Sequence, residues 1–327
     1  MVLAISATIN IGLFGKTPTE ADFVRFNAGS PPARAYDEWM NASLSEMRRG
    51  GGGEWEAVFD AAAPLSFVGR PSGDPRLVLA GHIRPSRDQS GRRYPLTVFC
   101  EIQLDRQGRG VQILPYALNP FLDAAARFSA TTETRALDAA ILKAMAALVP
   151  ENPVELARGM ADHLREVTME SFWSAFFGSF DDPRKYLCIK NLFGTLAPLR
   201  GYAPKRLSMG LRLPGVASDS ALKSSLVMAS WISLCRAVIG EESLASAWLF
   251  WHSGQGAARP GCFLFFRAPA PTALSAMLDP GHTTESIWDM ESLGRDRIAE
   301  ARDALGPAIT TVLDAPRFAM LEFIQRI

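Results

Sequence analysis

A short segment rich in charged and turn-forming residues, 85–96, constrains the fold of this chain more than any other feature. An apolar run precedes it at residues 77–80, and a second apolar run follows at residues 96–100. Two apolar runs separated by turn formers and a glycine are typical of neighbouring antiparallel strands. The sequence therefore predicts a pair of antiparallel strands joined by a charged connection.

The composition is typical of a packed globular protein. The 327 residues are enough for one large domain or two ordinary ones, and 48% of them are hydrophobic. Basic and acidic residues number 34 each, which gives a formal net charge of zero. A nucleic-acid-binding protein or a polybasic membrane anchor usually has a basic excess. No uninterrupted run of about 18 or more apolar residues occurs, which is the length that a membrane-spanning helix needs. We therefore expect no nucleic-acid partner and no membrane insertion.

The order of the apolar patterns predicts a mixed α/β (α+β) protein with an antiparallel sheet flanked by helices. Strand-like and helix-like segments are mixed in the N-terminal third, whereas residues 119–195 show helical periodicity only. Strand-like runs return further along the chain, at residues 207–213, 246–251 and 262–267. We divide the chain into an N-terminal α/β domain, residues 1–135, and a C-terminal part, residues 136–327. This second part contains the helical middle region and a second mixed subdomain.

The sequence contains no convincing pattern of catalytic or metal-ligating residues. Residues 12–17, Gly-Leu-Phe-Gly-Lys-Thr, are similar to a phosphate-binding loop, but only two residues separate their glycines. The Walker pattern requires four, so we interpret the segment as a strand end followed by a turn. We expect no enzyme activity, no cofactor and no metal. The less favoured alternative is that the protein is a nucleotide-dependent switch or a hydrolase. The cysteines lack metal-ligand spacing and are expected to be buried reduced thiols: Cys100, Cys188, Cys235 and Cys262.

Two tryptophans lie three positions apart in the strand-like run 246–251. On a strand, Trp248 and Trp251 point to opposite faces. One of them should be buried, and the other should be partly exposed or covered by another element. An exposed Trp251 would be a candidate partner contact, because tryptophan is enriched at interface hot spots.

Residues 11–24 and residues 85–96 form two motifs that together resemble the TagF (ImpM-like) family of type VI secretion-associated proteins. Residues 11–24 are similar to the family opening, Gly-aromatic-aromatic-Gly-Lys-x-Pro followed by Gly-Asp-Phe. Residues 85–96 are similar to the family motif Pro-Ser-x-Asp-Arg-x-Gly-Arg-x-Phe-Pro-Leu. Residues 34–44 and the strand-like runs near 250 and 265 resemble further parts of the family. We expect the matching residues to be structural: Gly12, Phe14, Gly15, Lys16, Pro18, Asp22, Phe23, Trp39, Pro85, Ser86, Gly91, Pro95 and Trp248.

The chain departs from the family pattern at three positions. Ala21 stands where a glycine usually precedes the aspartate, and Gln89 stands where an arginine usually follows Asp88. Leu249 interrupts the usual pair of adjacent tryptophans. These departures weaken any transfer of a contact from the family to these three positions. They leave the order and the spacing of the two motifs intact.

The resemblance implies a cytoplasmic, non-enzymatic repressor of type VI secretion that acts after translation. It implies that the repressor binds the forkhead-associated (FHA) scaffold protein of the secretion apparatus. It also implies a longin-like N-terminal domain. In some relatives the module is fused to a PP2C-like phosphatase, which here would be a separate protein. The alternative function is that of a structural accessory component of the apparatus.

The charged residues of segment 84–93 are candidate partner contacts, because arginine forms bidentate contacts with carboxylates and is enriched at interface hot spots. In the alternative interpretation, Asp88 and Arg92 bind each other or the turn backbone and so fix the loop. The residues leave both interpretations open. The candidate partner-binding residues are Arg84, Arg87, Asp88, Arg92, Arg93 and Trp251.

Overall fold

The computed structural model describes residues 5–50, 53–74, 76–104, 110–149, 153–202, 207–218, 220–253, 256–279, 281–282 and 284–327. The strands in these ranges are β1 (Ile5–Gly15), β2 (Val24–Phe26), β3 (Leu65–Gly69), β4 (Leu77–Arg84), β5 (Leu96–Leu104), β6 (Gly210–Pro214), β7 (Trp248–His252), β8 (Gly261–Phe265) and β9 (Ile287–Asp289).

Helices occupy most of the remaining described chain. They are α1 (Pro31–Gly50), α2 (Trp55–Ala61), α3 (Leu114–Ala117), α4 (Asn119–Thr131), α5 (Ala139–Ala144), α6 (Pro153–Glu166), α7 (Met169–Phe177), α8 (Arg184–Leu196), α9 (Ala221–Ile239), α10 (Ala273–Leu278), α11 (Ala301–Ala304), α12 (Pro307–Leu313) and α13 (Met320–Arg326). Short 3-10 segments lie at Val111–Ile113, Met145–Leu148, Ala197–Leu199, Glu242–Leu244 and Arg295–Glu300.

The strands form one nine-stranded sheet in the order β2-β1-β5-β4-β3-β7-β8-β6-β9. Neighbouring strands are antiparallel except β6 and β9, which are parallel. The strand pair expected around residues 85–96 is present as β4 and β5, and its register places Arg84 opposite Leu96. The prediction of a mixed α/β protein with a largely antiparallel sheet is confirmed.

The sheet crosses the predicted division at residue 135. Strand β3, from the N-terminal part, pairs with β7, from the C-terminal part, and Leu65 lies opposite His252. Tyr36 of α1 stacks on Trp248 of β7 with a centroid separation of 6.1 Å. Helices α4 to α8 fill the expected helical region, residues 119–195. The two parts thus share a sheet, and the division at residue 135 stays a prediction.

The central strands carry apolar side chains on both faces of the sheet, and helices cover both faces. On one face, Phe67 and Phe250 pack with Trp39 of α1 in a buried cluster. On the other face, Cys100 and Trp251 belong to a larger cluster that contains residues of α3, α4, α7, α8 and α9. The charged loops at the strand ends are therefore held by a rigid, doubly covered sheet.

Because both faces of the sheet are covered, both tryptophans of β7 are buried. Trp248 and Trp251 point to opposite faces as predicted, and each lies in a different buried cluster. Trp251 has no exposed surface. The prediction that it is a partner contact is wrong, because helices cover the face to which it points. All four cysteines are buried free thiols, as predicted.

Helix α1 shows how the local sequence sets an element that positions the site. Ser30 caps the helix, since its Oγ accepts a hydrogen bond from the backbone N–H of Ala33 at 3.2 Å. Proline is compatible with the first helical turn, and the helix ends at Gly50. Its buried face consists of Pro32, Ala33, Tyr36, Asp37, Trp39, Met40, Ser43, Leu44 and Met47.

Helix α9 has the length and apolar composition of a membrane-spanning helix, with a mean hydropathy of 1.4. However, 67% of its apolar window is buried inside the protein. Trp231 of α9 is fully buried, and its indole N–H donates to the Pro214 carbonyl at 2.9 Å. These contacts are those of a core helix.

Candidate partner-binding surface

The first motif lies directly against the second because of a glycine at the end of β1. Gly15 has a φ of +135°, a conformation that L side chains rarely adopt. A Cβ at this position would lie 2.2 Å from the Pro95 carbonyl oxygen and 2.8 Å from the Leu96 Cα. Any side chain would push the two motifs apart. The interpretation of residues 12–17 as a strand end followed by a turn is confirmed, since β1 ends at Gly15.

A buried ion pair joins the two motifs immediately after this contact. Lys16 Nζ lies 2.7 Å from Asp88 Oδ2, and the side chains are 12% and 0% exposed. The Nε of Arg92 donates to the same carboxylate oxygen at 2.7 Å. The other oxygen accepts hydrogen bonds from the Ser90 hydroxyl and from the backbone N–H groups of Ser90 and Arg92. Asp88 is therefore an internal hub, and the prediction that it contacts a partner is wrong.

These donors set the charge state of Asp88. Burial favours the neutral carboxyl, but the hydrogen bonds from Lys16, Ser90 and Arg92 outweigh it and hold the pKa well below its usual range. The carboxylate is thus ionised at neutral pH and matches the two cations beside it. The alternative interpretation of the loop is the one that the structure shows, since Asp88 and Arg92 bind each other and the turn.

Residues of the second motif also hold the backbone that follows the first. The side-chain amide of Gln89 donates to the Thr19 carbonyl at 2.9 Å, and its backbone N–H donates to the Glu20 carbonyl at 3.1 Å. Nη2 of Arg92 donates to the Ala21 carbonyl at 2.9 Å. Three consecutive carbonyls are therefore fixed by donors from the other motif. We call residues 16–22 together with residues 88–92 the clamp.

An aromatic contact extends the junction to α1. Phe23 packs edge-on against Tyr94 with a centroid separation of 4.9 Å. The Tyr94 hydroxyl donates to Asp37 Oδ1 at 2.5 Å, and Arg25 pairs with the other oxygen of Asp37 at 2.7 Å. Burial and the Asp37 carboxylate raise the pKa of Tyr94, so the phenol stays a hydrogen-bond donor at neutral pH. The clamp therefore rests on the core through Tyr94.

Most residues that match the family motifs are buried or partly buried, as expected of structural residues. Gly91 is exposed, but its φ of +84° at the turn that begins at Asp88 explains why glycine stands there. Asp22 is different, because its side chain is 94% exposed. The buried or partly buried residues are Gly12, Phe14, Gly15, Lys16, Pro18, Phe23, Trp39, Pro85, Ser86, Pro95 and Trp248.

The other arginines of segment 84–93 have different environments. Nε of Arg84 donates to Glu133 Oε1 at 2.8 Å, and Arg93 binds both oxygens of Asp60 at 2.8 and 2.7 Å. These arginine side chains are only 28% and 18% exposed. Arg87 is exposed, and its charge helps Arg93 to lower the pKa of Asp60, but it lies within 4.0 Å of no carboxylate among the described residues. The structure therefore leaves Arg87 as the arginine of this segment that is most available to a partner.

Two depressions lie beside the clamp and share Asp60, Pro85 and Glu133. The larger has a volume of about 480 Å³ and is also lined by Arg84 and His82. The smaller has a volume of about 420 Å³ and is lined by Pro18, Ser86 and Arg87 as well. No pattern in the sequence marked Asp60 or Glu133, because each reaches the motif arginines only through the tertiary fold.

A serine and a histidine meet in the larger depression. Ser253 Oγ lies 3.4 Å from His82 Nδ1, and Ser66 donates to Ser253 at 3.1 Å. Burial lowers the pKa of His82 to about 3, and the charge of Arg84 adds to this effect. A histidine with such a pKa is a poor general base at neutral pH. Among the described residues, no group of three or more His, Cys, Asp or Glu could hold a metal ion.

The exposed parts of both motifs lie together on the outside of the clamp. We call them the two-motif surface: Ala21, Asp22, Arg87, Gln89, Ser90 and Arg92. The fold and this junction define a helix-flanked α/β protein in which two distant motifs form one charged surface. Residues 12–148 match the family of TagF N-terminal domains, which is type VI secretion system-associated. The chain therefore contains a TagF N-terminal domain, as the two motifs indicated.

A solved structure resembles the chain more distantly. The crystal structure of PA0076 from Pseudomonas aeruginosa PAO1 shares 17% sequence identity over 85% of this chain and 98% of that chain. The TM-score is 0.48. A comparison with curated proteins found no match.

Proposed function

We propose that this protein represses type VI secretion after translation, without catalysis, by binding the FHA scaffold protein of the secretion apparatus. The match of residues 12–148 to the TagF N-terminal domain supports a role in type VI secretion. The proposal includes a cytoplasmic location, a separate PP2C-like phosphatase in the same pathway and a longin-like architecture for residues 1–135. The observation that carries it is the convergence of both motifs on one rigid, exposed surface.

Pre-organisation of the two-motif surface supports a binding role. The buried pair of Lys16 and Asp88 fixes its base, and the hydrogen bonds from Gln89 and Arg92 fix the backbone of the first motif. A surface that is already ordered loses little conformational entropy when a partner binds. Binding residues are commonly carried on loops that a rigid scaffold positions. A charged loop held in this way is suited to protein recognition.

The exposed arginines supply the contact that we propose for the scaffold. Arg87 forms no ion pair with any described residue, and the Arg92 side chain is 59% exposed despite its bonds to Asp88 and Ala21. We propose that the two bind carboxylates of the scaffold. Arg84 is held by Glu133, and Arg93 is held by Asp60 and Glu56. These two arginines lie at the edge of the proposed contact.

The geometry does not favour a nucleotide-dependent switch or a hydrolase. Lys16, which a nucleotide-dependent switch would use for phosphate, is bound to Asp88 instead. His82, the base that a hydrolase would use on Ser253, is a weak proton acceptor because burial lowers its pKa to about 3. A structural accessory component would co-purify with the assembled apparatus rather than with the free scaffold.

Titration calorimetry with the purified FHA scaffold of the same organism tests the proposal. We expect the wild-type chain to form a stable complex and Arg87→Glu to weaken it by about tenfold, since like-charge contacts at an interface are costly. Arg297→Glu is the matched control, because Arg297 is 70% exposed and lies outside the matched residues 12–148. Absence of binding by the folded wild-type chain would contradict the proposed function.

A further inference from the structure

The side chain of Asp22 contributes little to the fold. Its side chain is 94% exposed, and its one hydrogen bond or ion pair with a described side chain is with Arg92 Nη2 at 3.5 Å. That distance is at the limit for a hydrogen bond. Arg92 is already held more firmly by Asp88 at 2.7 Å and by the Ala21 carbonyl at 2.9 Å. Stability therefore does not explain an aspartate at this position.

The position of Asp22 is nevertheless fixed. The three carbonyls that precede it accept hydrogen bonds from Gln89 and Arg92, and Phe23, which follows it, packs against Tyr94. The backbone on both sides is thus held without any use of the carboxylate. This arrangement projects an acidic side chain into solvent at a defined place on the two-motif surface. An ordered, exposed charge is suited to setting partner specificity.

We propose that Asp22 is a specificity-determining contact residue that accepts a basic side chain of the scaffold. The inference rests on the proposed function. A guanidinium or ammonium group from the scaffold would take the place of the weak contact with Arg92. Arg92 would keep its bonds to Asp88 and to the backbone, so the clamp would not change. The two-motif surface would then offer both a carboxylate and arginines, which fixes the register of a partner with complementary charges.

Calorimetry with Asp22→Arg, Asp22→Asn and Asp22→Glu tests this inference. We expect Asp22→Arg to weaken scaffold binding by about tenfold or more, and Asp22→Asn to weaken it by a smaller factor. Asp22→Glu keeps the charge and should retain most of the affinity. Thermal stability should be the same for all three, because the side chain is exposed. Asp296→Arg is the matched control, since Asp296 is 81% exposed and lies in the C-terminal part.

The outcomes separate this inference from the proposed function. If the wild-type chain does not bind the scaffold, the proposed function fails. If the wild-type chain binds and Asp22→Arg binds equally well, the inference is overturned while the function stands. If Asp22→Arg is less stable, Asp22→Asn decides, because it preserves the shape of the side chain. A folded Asp22→Asn variant with wild-type affinity and wild-type salt dependence overturns the inference, whereas weaker binding with a reduced salt dependence supports it.

Discussion

Two regions of this molecule join distant segments through cation–carboxylate pairs, but they arrange the pairs differently. In the clamp, Lys16 and Arg92 converge on Asp88, whose side chain is completely buried. In the C-terminal part, acids and arginines alternate in a chain that links β6, β9, the β7–β8 connection and the start of α8. We call this second region the arginine chain: Asp182, Arg184, Glu291, Arg259, Asp289 and Arg212.

The difference lies in how many contacts depend on one residue. Both close ionic contacts of the clamp, at 2.7 Å, pass through Asp88, and only the longer contact between Arg92 and Asp22, at 3.5 Å, does not. Loss of Asp88 would therefore leave two cations without their main carboxylate. In the arginine chain, Arg259 pairs with both Asp289 and Glu291, at 2.7 and 2.9 Å. Most side chains of the chain are also between 18% and 34% exposed. Water can therefore compensate for a lost pair there, but not at Asp88.

The largest effect is expected for Asp88→Ala. It removes a buried counter-ion from Lys16 and also the acceptor of the turn N–H groups of Ser90 and Arg92. Loss of one partner of a buried ion pair is strongly destabilising, and we expect the melting temperature to fall by about 5–10 °C. Differential scanning calorimetry measures the change.

The control for this variant is Asp22→Asn, an acid of the same clamp that is exposed. We expect it to change the melting temperature by less than about 1 °C, because solvated surface positions contribute little. A loss for Asp88→Ala no larger than that of this control would show that Asp88 is not the hub of the clamp.

Local features of the fold were predictable from the sequence because their causes are local. The turn formers between two apolar runs predicted β4 and β5, and the glycine spacing in residues 12–17 favoured a strand end over a phosphate loop. Opposite faces for Trp248 and Trp251 follow from the period of a strand.

The rest depends on contacts between residues far apart in the chain. The burial of Trp251 requires helices that cover its face of the sheet, and strand periodicity carries no information on them. The bond between Lys16 and Asp88 explains why the two motifs act as a unit, but it appears only when β1 pairs with β5. The exposure of Asp22 could not be predicted either, since residues on both sides of it are held by the other motif.

An intermediate effect is expected from acid. The pKa of Asp88 is lowered in the folded protein, so the stability that its ionised form contributes is fully present above its usual pKa of 3.8. That stability is lost as the pH falls below 3.8 through the lowered pKa. The difference in unfolding free energy between wild type and Asp88→Asn should be constant from pH 8 to about pH 5 and should shrink below about pH 4.

Urea unfolding at a series of pH values measures this difference in unfolding free energy. The contribution of the histidines cancels in the difference. Burial lowers the pKa of His82 to about 3 and that of His252 to about 4, so both oppose folding progressively as the pH falls below 6.5. This loss affects wild type and variant equally and cancels. A difference that shrinks between pH 7 and pH 5 would contradict the ionised, donor-rich state of Asp88.

The smallest effect is expected in the arginine chain, for Asp289→Ala. Burial opposes the ionisation of Asp289, but Arg212 and Arg259 outweigh it and lower the pKa, so both pairs are present at neutral pH. Its loss should lower the melting temperature by only about 2–4 °C, because Arg259 keeps its pair with Glu291 and Arg212 keeps its hydrogen bond to the Arg259 carbonyl at 2.8 Å.

The dependence on salt concentration should distinguish the clamp from the arginine chain further. From 0.05 to 1 M NaCl, roughly the range over which screening becomes strong, the effect of Asp289→Ala should shrink, whereas that of Asp88→Ala should not. Equal salt dependence of the two variants would show that burial does not separate the clamp from the arginine chain.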